Sequence, residues 1–350
     1  MKIGWKTAAV YLLAVATLVS LPHCQSSPEP GKPVIGLSLD NLQLERWQRD
    51  RDFFVAKANE LGAEVIVQSA NSDDARQISQ CENMLTRGVD LLVVIPHNGK
   101  VAAAIVEMAH EAGVKVLAYD RIINDSDLDL YLSFDNVRVG EMQAGYLVER
   151  APSGNYVLIG GSPTDHNAQM FREGQMNVLQ PYIDRGEITV VADQWATDWQ
   201  PIEALRHVEN ALTQANNDVV AIVTSNDATA GGAVQALAEQ NLAGQVLVSG
   251  QDADLPALQR LLDGTQSMTV YKPVKLLAET AAEIALQMIE DQHLGAVNNA
   301  VNNGKIDVPS ILLDPLMVDK DNLVETVIED GFHSVEAVYQ NVPRSAWPGQ

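Results

Sequence analysis

Short apolar runs alternate with amphipathic stretches along most of this 350-residue chain, and this alternation limits the folds open to it. The first run is VIGLSL, which begins at Val34. Each run, with the amphipathic stretch after it, takes about 30 residues, the size of a β-α-β unit. Runs rich in Val, Ile and Leu are typical of parallel strands that are buried on both faces. The pattern therefore predicts an α/β fold of doubly wound parallel sheets with right-handed crossovers.

The pattern occurs as two similar series. In the first series we predict strands at 34–39, 63–68, 91–95 and 114–119, and helices at 46–61, 74–86 and 101–112. After a connection at 122–134, the second series has helices at 137–149, 166–179, 202–215 and 228–240, and strands at 155–161, 188–193, 219–224 and 245–250. The later elements are a helix at 255–262, a strand at 268–271, a helix at 274–289, a turn at 298–305 and a strand at 306–313. Two similar series predict two similar domains, followed by a frayed tail at 334–350.

The chain is strongly acidic, with 23 Lys and Arg residues against 46 Asp and Glu residues and a formal net charge of -23. This charge repels phosphate backbones and anionic membrane surfaces, so nucleic-acid binding is not expected. The acidic residues are scattered, which is typical of a solubilising surface. The two cysteines are Cys24 and Cys81, and the helical pattern around Cys81 favours a half-buried free thiol.

The first 24 residues have the features of an export signal. Lys2 and Lys6 precede an apolar run at 7–21 that is too short to be a comfortable membrane span. Cys24 follows this run and precedes a polar tether at 25–32, so it resembles the acylated first residue of a bacterial lipoprotein. His23 departs from that pattern, which has a small residue before the cysteine. Both lipidation of Cys24 and ordinary cleavage of the signal therefore stay open.

Polar side chains follow four of the predicted strands. These strand ends carry Asp120 and Arg121, Asp165 and Asn167, Asn226 and Asp227, and Asp252. The carboxyl ends of parallel strands share one edge of a sheet, and ligands bind at that edge in open α/β folds. Asp227 alone could simply cap the helix that it precedes. Together with Lys272, the set offers donors and acceptors of both charge signs, which is the mixture that a neutral polyol needs.

Two tryptophans are candidates for the walls of such a site. Trp47 follows Arg46 at the start of the first helix, and its helical spacing with Phe54 makes core packing a sufficient explanation. Trp199 lies on a polar loop just before a helix and has no apolar neighbours in sequence. This position favours a binding platform, because a flat aromatic face suits the C–H face of a sugar.

The sequence predicts no cofactor and no metal. Asp125, Asp127 and Asp129 resemble the start of a calcium loop, but Leu130 stands where that loop needs Gly and Asn136 where it needs Glu. A solvated turn is the simpler interpretation. The histidines lack metal-ligand spacing, and we find no phosphate-binding loop or nucleophile elbow.

Seven stretches together carry a family resemblance: LERWQRDRD, VQSAN, YDRIIND, GGSPTDHNA, SNDATAGGA, SGQDAD and TVYKP. From about Val34 to His333 the chain resembles the periplasmic D-xylose-binding proteins of bacterial ABC sugar importers, within the ribose/galactose-binding type of receptors. It departs from this pattern at the Cys24 tether and in its longer tail after His333.

The resemblance implies the fold of a type I periplasmic binding protein, with two lobes and a hinge of three crossings near 134–135, 270–272 and 305–307. The first lobe would comprise 33–135 and 273–305, and the second 136–272 and 306–333. The resemblance also implies a binding site for D-xylose or a closely related aldopentose. The hydroxyls would be held by Arg46, Asp120, Arg121, Asp165, Asn167, Asn226, Asp252 and Lys272, with Trp47 and Trp199 against the faces of the ring.

By the same resemblance, the protein is expected to be a monomeric receptor, not an enzyme, that lies in the periplasm or at the outer face of the membrane and serves an ABC permease. A receptor for another monosaccharide, which feeds a chemoreceptor or a sensor protein, is an alternative. A sugar-acting enzyme would need paired carboxylates, and Asp120 with Asp252 could be offered. Their mixture with Arg121 and Lys272 favours neutralised hydrogen-bond partners instead. The export signal stands where a repressor would carry its basic helix-turn-helix.

Overall fold

The computed structural model describes residues 31–349, so the predicted export signal, Cys24 and most of the tether lie outside the described residues. The first part of the chain forms β1 (Val34–Leu39), α1 (Glu45–Glu60), β2 (Glu64–Ser69), α2 (Asp74–Thr86), β3 (Leu91–Val94), α3 (Ala103–Glu111), β4 (Lys115–Tyr119) and β5 (Leu130–Phe134). The second part forms α4 (Asn136–Arg150), β6 (Gly154–Gly160), α5 (His166–Asp184), β7 (Ile188–Trp195), α6 (Pro201–Gln214), β8 (Ala221–Thr224), α7 (Asp227–Glu239), β9 (Leu247–Val248), α8 (Leu255–Asp263) and β10 (Thr269–Tyr271). The last part forms α9 (Val274–Ile289), β11 (Asn299–Asn302), β12 (Asp307–Leu313), β13 (Leu316–Val318) and α10 (Val335–Val338).

Seven strands form the first sheet, in the order β11-β12-β5-β4-β3-β1-β2. All neighbours in it are parallel except the edge strand β11, which is antiparallel to β12. Helices α1 and α9 cover one face, and α2 and α3 cover the other. Every residue of β1, β3 and β5 is buried, as expected for strands with helices on both faces.

Four parallel strands form the second sheet, in the order β7-β6-β8-β9. Helices α4 and α5 pack on one face, and α6 and α7 pack on the other. Two glycines let α4 and α5 touch along their backbones. A Cβ atom at Gly140 would lie 2.0 Å from the carbonyl oxygen of Phe171, and one at Gly174 would lie 1.9 Å from that of Val137. The two sheets confirm the predicted α/β fold with two doubly wound parallel layers.

The chain passes between the sheets three times, but the third crossing is not where we predicted it. The first crossing follows Phe134, and the second follows Tyr271, since β10 lies against the second sheet while α9 packs on the first. The predicted late strand exists as β12, yet it pairs with β5 of the first sheet. Residues 306–313 therefore belong with the first half, and the chain crosses after Leu313, before β13 pairs with β10.

The tail packs on the second half through residues 335–342 rather than fraying from Ser334, which corrects the prediction, while residues 343–346 are exposed. Ser334 caps α10, and the side chains of Val338 and Tyr339 are 0% and 6% exposed. They join a cluster with Leu258 and Leu261 of α8. The tail therefore covers α8 and completes an apolar cluster of the second half.

Three local predictions also differ from the structure. The connection at 122–134 contains β5, and the predicted Asn-rich turn contains the edge strand β11. Cys81 is fully buried, at 0% exposed, rather than half-buried, and it is the only free cysteine among the residues described. Within residues 31–349 we find no helix that is both long enough and apolar enough to cross a membrane.

Candidate functional site

The carboxyl ends of the two sheets face each other across a small cavity of about 20 Å³. All ten predicted site residues line it, and none of their side chains is more than 7% exposed. They are Arg46, Trp47, Asp120, Arg121, Asp165, Asn167, Trp199, Asn226, Asp252 and Lys272. Leu44, Phe171 and Gln251 line the cavity as well, and the sequence did not mark them as site residues. We call this space the inner cavity.

Each half of the molecule supplies part of this wall. Arg46 and Trp47 come from the first turn of α1, and Asp120 and Arg121 follow β4. From the second half come the start of α5, the N-cap of α7, and the ends of β9 and β10. A larger outer cavity of about 680 Å³ adjoins the inner one and shares Leu44, Arg121 and Trp199 with it.

Arg46 is the centre of one group of charges in the inner cavity. Its guanidinium lies 2.8 Å from Asp120, 3.3 Å from Asp50 and 3.4 Å from Asp252. Lys272 Nζ adds a second cation, 3.3 Å from Asp252 and 3.9 Å from Asp120. Asp120 and Asp252 are therefore ion-paired acceptors, and they share the same two cations.

The pKa values of the carboxyl groups around Arg46 depend on this pairing. Burial alone would raise the pKa of Asp120, but Arg46 and Lys272 hold it below its usual value. Asp50, on the far side of Arg46, has its pKa raised to about 6, since burial outweighs the nearby guanidinium. Tyr119 also donates its hydroxyl hydrogen to Asp50. Asp50 thus helps to hold the Arg46 guanidinium in place, although Asp50 itself does not line the inner cavity.

Arg121 is the centre of a second group of charges. Its Nε lies 2.7 Å from Asp165 Oδ2, and its NH1 lies 2.8 Å from Asp40 Oδ2. His97 Nδ1 lies 2.9 Å from the other oxygen of Asp40, and this contact raises the pKa of His97. Arg121 therefore holds a carboxylate from each half of the molecule at once.

The backbone at Asp120 is held in a left-handed conformation, with φ at 62°. Three side chains donate to its carbonyl oxygen: Ser133 at 2.7 Å, Asn167 at 2.8 Å and Tyr131 at 2.9 Å. Left-handed backbone at a non-glycine residue is costly and persists where surrounding contacts fix it. Asn167, from the second half, thus helps to hold Asp120 of the first half in place.

Both tryptophans are buried walls of the inner cavity. Trp47 packs in the core with Phe54, as its spacing predicted, and the guanidinium of Arg46 lies 4.2 Å from its ring centroid. Trp199 is 7% exposed and donates from Nε1 to Asp165 at 3.2 Å. It also packs edge-on against Phe171. Trp199 therefore has an apolar neighbour in the folded protein, although it has none nearby in the sequence.

Asn226, rather than Asp227, caps α7. Its Oδ1 accepts from the backbone N–H of Thr229 at 3.0 Å. Asp227 instead accepts from the backbone N–H of Asp254 at 3.0 Å and from the side chains of Gln266 and Thr269. Burial raises the pKa of Asp227 to about 7 against the opposing effect of Arg260.

The aspartates that resembled a calcium loop have other partners. Asp127 Oδ2 lies 2.7 Å from Lys305 Nζ at the surface, and Asp129 accepts from the backbone N–H of Val116 at 2.8 Å. Within residues 31–349, no cluster of three or more His, Cys, Asp or Glu side chains could hold a metal ion. The arrangement in the inner cavity can bind a small neutral molecule that both donates and accepts hydrogen bonds.

Known proteins resemble this chain along most of its length. Residues 35–293 match the periplasmic binding protein domain family. The D-xylose-binding periplasmic protein of Haemophilus influenzae is 55% identical over 327 residues, which cover 93% of this chain and 98% of that protein. Its Escherichia coli counterpart is 56% identical over 322 residues, which cover 92% and 97%.

A solved structure shares the fold along most of the chain. It is a carbohydrate transporter solute-binding protein from Chloroflexus aurantiacus, in complex with D-glucose, with a TM-score of 0.81 and 32% identity. The match covers 87% of this chain and 97% of that one. This chain is therefore a member of the periplasmic binding protein family.

Proposed function

We propose that this protein is a receptor for D-xylose, or for a closely related aldopentose, that closes on the sugar and delivers it to an ABC-type permease. The names of the Haemophilus and Escherichia relatives support this sugar, since each covers more than nine-tenths of the chain at 55% and 56% identity. The family supports delivery to a transporter, and the relatives' names support a periplasmic location.

The observation that carries the proposal is the mixed lining of the inner cavity. Arg46 and Lys272 neutralise Asp120 and Asp252, so the lining offers charged donors and charged acceptors without a large local charge. A sugar hydroxyl can donate to a carboxylate and accept from a guanidinium or ammonium group at once. We assign the same role to Arg121, Asp165, Asn167 and Asn226, and we assign the ring faces to Trp47 and Trp199.

Binding would require the two halves to move apart and close again. The inner cavity, at about 20 Å³, has room for about one water molecule, which needs about 10–15 Å³, and not for a pentose. A pentose can enter only if the wall opens, and the three crossings between the sheets are the natural hinge. We assign residues 33–135 and 273–313 to one lobe, and residues 136–272 and 316–349 to the other.

The remaining assignments concern anchoring and partners. We propose that the protein acts as a monomer, that it does not turn over its sugar, and that Cys24 anchors the exported chain through a lipid. A chemoreceptor that reads the closed form is a further candidate partner. Mass spectrometry of the mature protein from native cells tests the anchor, because an unmodified N-terminus beyond Cys24 would contradict it.

Titration calorimetry with four sugars tests the binding function. D-Xylose should bind most tightly, and L-arabinose and D-ribose should bind at least roughly tenfold more weakly, because each inverts one hydroxyl and leaves buried partners unpaired. D-Glucose carries an extra hydroxymethyl group and should suffer an added steric penalty. If D-ribose or D-glucose binds as tightly as D-xylose, the pentose assignment is wrong. Recovery of unchanged sugar after prolonged incubation would separate the receptor from an enzyme.

A further inference from the structure

A chain of buried polar side chains runs through the second half of the molecule toward the inner cavity. Arg172 Nε donates to Gln175 Oε1 at 3.0 Å, and Gln175 Nε2 donates to Gln143 Oε1 at 2.8 Å. Gln143 and Gln175 are both 0% exposed, and Arg172 is 9% exposed. Buried amides of this kind are costly unless every polar atom is paired, so each partner in the chain matters.

This series of hydrogen-bonded side chains ends at two backbone carbonyl groups, each of which follows a different strand. Gln143 Nε2 donates to the carbonyl oxygen of Ser225 at 3.1 Å and to that of Gly250 at 3.2 Å. Ser225 directly precedes Asn226, and Gly250 stands two residues before Asp252. One amide group therefore ties together the loops that carry two of the proposed sugar partners.

The second of these loops needs such support. Asp252 and Ala253 both have left-handed backbone, with φ at 97° and 52°. Conformations of this kind are disfavoured for residues with a Cβ atom and persist where neighbouring contacts fix them. The loop is held by Gln143 and by Asp227, whose carboxylate accepts from the backbone N–H of Asp254. It is also held by β10, where the carbonyl oxygen of Val270 accepts from the backbone N–H of Asp252 at 2.8 Å.

We propose that Gln143 is a positioning residue that sets the spacing between Asn226 and Asp252, and through it the discrimination among pentose epimers. Gln143 is not part of the lining of the inner cavity, so it acts through these two residues. The geometric reason is that its two donor hydrogens reach both loops from one rigid helix, α4. A shift of either loop would change which hydroxyl orientation meets both Asn226 and Asp252. The proposal rests on the proposed function, because it concerns the same sugar site.

A purely structural role is the competing explanation, since any buried amide stabilises the carbonyl groups that it pairs with. The two explanations differ in what Gln143→Leu should do. This change keeps the approximate volume and removes both donors. The two loops then keep only their other contacts, such as the hydrogen bond from the backbone N–H of Asp227 to the carbonyl oxygen of Gln251 at 2.9 Å, and can shift within them. We expect D-xylose affinity to fall at least about tenfold, and the ratio of D-xylose to L-arabinose affinity to narrow by a similar factor.

Leu147→Ala is the matched control. Leu147 lies one turn further along α4, is also 0% exposed and packs on the sheet without a polar role. Its truncation should lower the unfolding temperature and leave both the affinity and the epimer ratio unchanged. If Leu147→Ala narrows the ratio as much as Gln143→Leu does, general loosening of the domain explains the effect and the positioning role is refuted.

Gln143→Glu provides a second test that does not depend on how well Gln143→Leu folds. The carboxylate can still accept from Gln175, but only its protonated form can donate to one of the two carbonyl groups. Burial beside carbonyl oxygens raises the pKa of such a carboxyl group. The D-xylose affinity of Gln143→Glu, divided by that of the parent at the same pH, should therefore rise as the pH falls from 8 toward 5. If this ratio does not change with pH, the proposal is contradicted.

The outcomes separate this inference from the function beneath it. If the parent protein does not bind D-xylose, the proposed function fails first. If the parent binds D-xylose and Gln143→Leu keeps both its affinity and its epimer ratio, Gln143 has no positioning role while the receptor function stands.

Discussion

The Nε atom of Arg121 lies 2.7 Å from Oδ2 of Asp165, so one ion pair joins the two halves of the molecule across the inner cavity. A second pair, Arg46 with Asp252 at 3.4 Å, does the same. Buried ions lose much of their hydration, and their mutual attraction need not offset that loss. Without a sugar, opening returns water to these charges. A bound sugar forms hydrogen bonds with these charged groups in place of the lost water, and it therefore favours the closed state.

We expect small-angle scattering to show a smaller radius of gyration when D-xylose is added at saturation. The sugar contacts both halves only in the closed state, so its binding shifts the population toward that state. A sugar that does not bind serves as the control. An unchanged profile at saturating D-xylose would rule out closure as the mechanism.

Asp252→Ala should weaken D-xylose binding severely. The change leaves Arg46 and Lys272 buried with one partner fewer, and truncation of one member of a buried charge pair costs about 2–5 kcal/mol, or roughly thirtyfold or more in affinity. Asp127→Ala is the control, because Asp127 lies at the surface and pairs there with exposed Lys305. Calorimetry should find the parent affinity in Asp127→Ala, and the same result for Asp252→Ala would refute the pocket assignment.

Asp227 should make the free energy of unfolding fall as the pH rises. Its pKa is raised from the usual value of 3.8 to about 7 in the folded protein, chiefly by burial. Between these values the folded state binds more protons than the unfolded state, so this stabilising contribution is lost from about pH 4 to about pH 7. The slope is at most about 1.4 kcal/mol per pH unit.

The test compares urea unfolding of the parent with that of Asp227→Asn from pH 4.5 to 7.5. Asn cannot titrate, so the decline with rising pH should be shallower in the variant. Buried carboxyl groups that Asp227 does not influence, such as Asp50, are common to both proteins and cancel in the difference. Asp254 interacts with Asp227, so the difference measures these two carboxyl groups together. Parallel stability curves would mean that Asp227 does not titrate in this range.

Gly140→Ala should destabilise the protein by about 1–3 kcal/mol, because the new methyl group meets the backbone of α5 and forces the two helices apart. Gly145→Ala lies on the same helix and meets nothing within 4 Å. It should be neutral or stabilising by up to about 1 kcal/mol, as expected for Gly replaced in a helix. Thermal unfolding of the two variants measures the contrast, and equal effects would argue against the close contact between α4 and α5.

The periodic elements of this fold could be predicted because they are long and regular. Strands such as β1 and helices such as α2 follow from apolar runs and helical spacing alone. The sheet that a strand joins is set by contacts far along the chain, so β12 was recognised as a strand but assigned to the wrong half. The edge strand β11 is rich in Asn, which is disfavoured in strands, and its hydrogen bonds to β12 override that preference.

The strand-end residues of each sheet could be predicted to lie together because the ends of parallel strands meet at one edge. The full set of ten, drawn from both sheets, was implied by the family resemblance. Their pairing could not be predicted, since Arg46 and Asp252 are brought together only by the closed arrangement of the two halves. Phe171 carries no signal in the sequence beyond helical spacing. Its place beside Trp199 depends on how α5 lies against the turn before α6.

The burial of Cys81 makes the described part of the chain suited to site-specific labelling. The thiol is 0% exposed, and burial raises its pKa to about 11, so few molecules carry the reactive thiolate near neutral pH. A cysteine introduced at the rim of the outer cavity would react far faster than Cys81. A fluorophore attached there would report sugar binding as a change in emission, in a chain that needs no cysteine removed from residues 31–349.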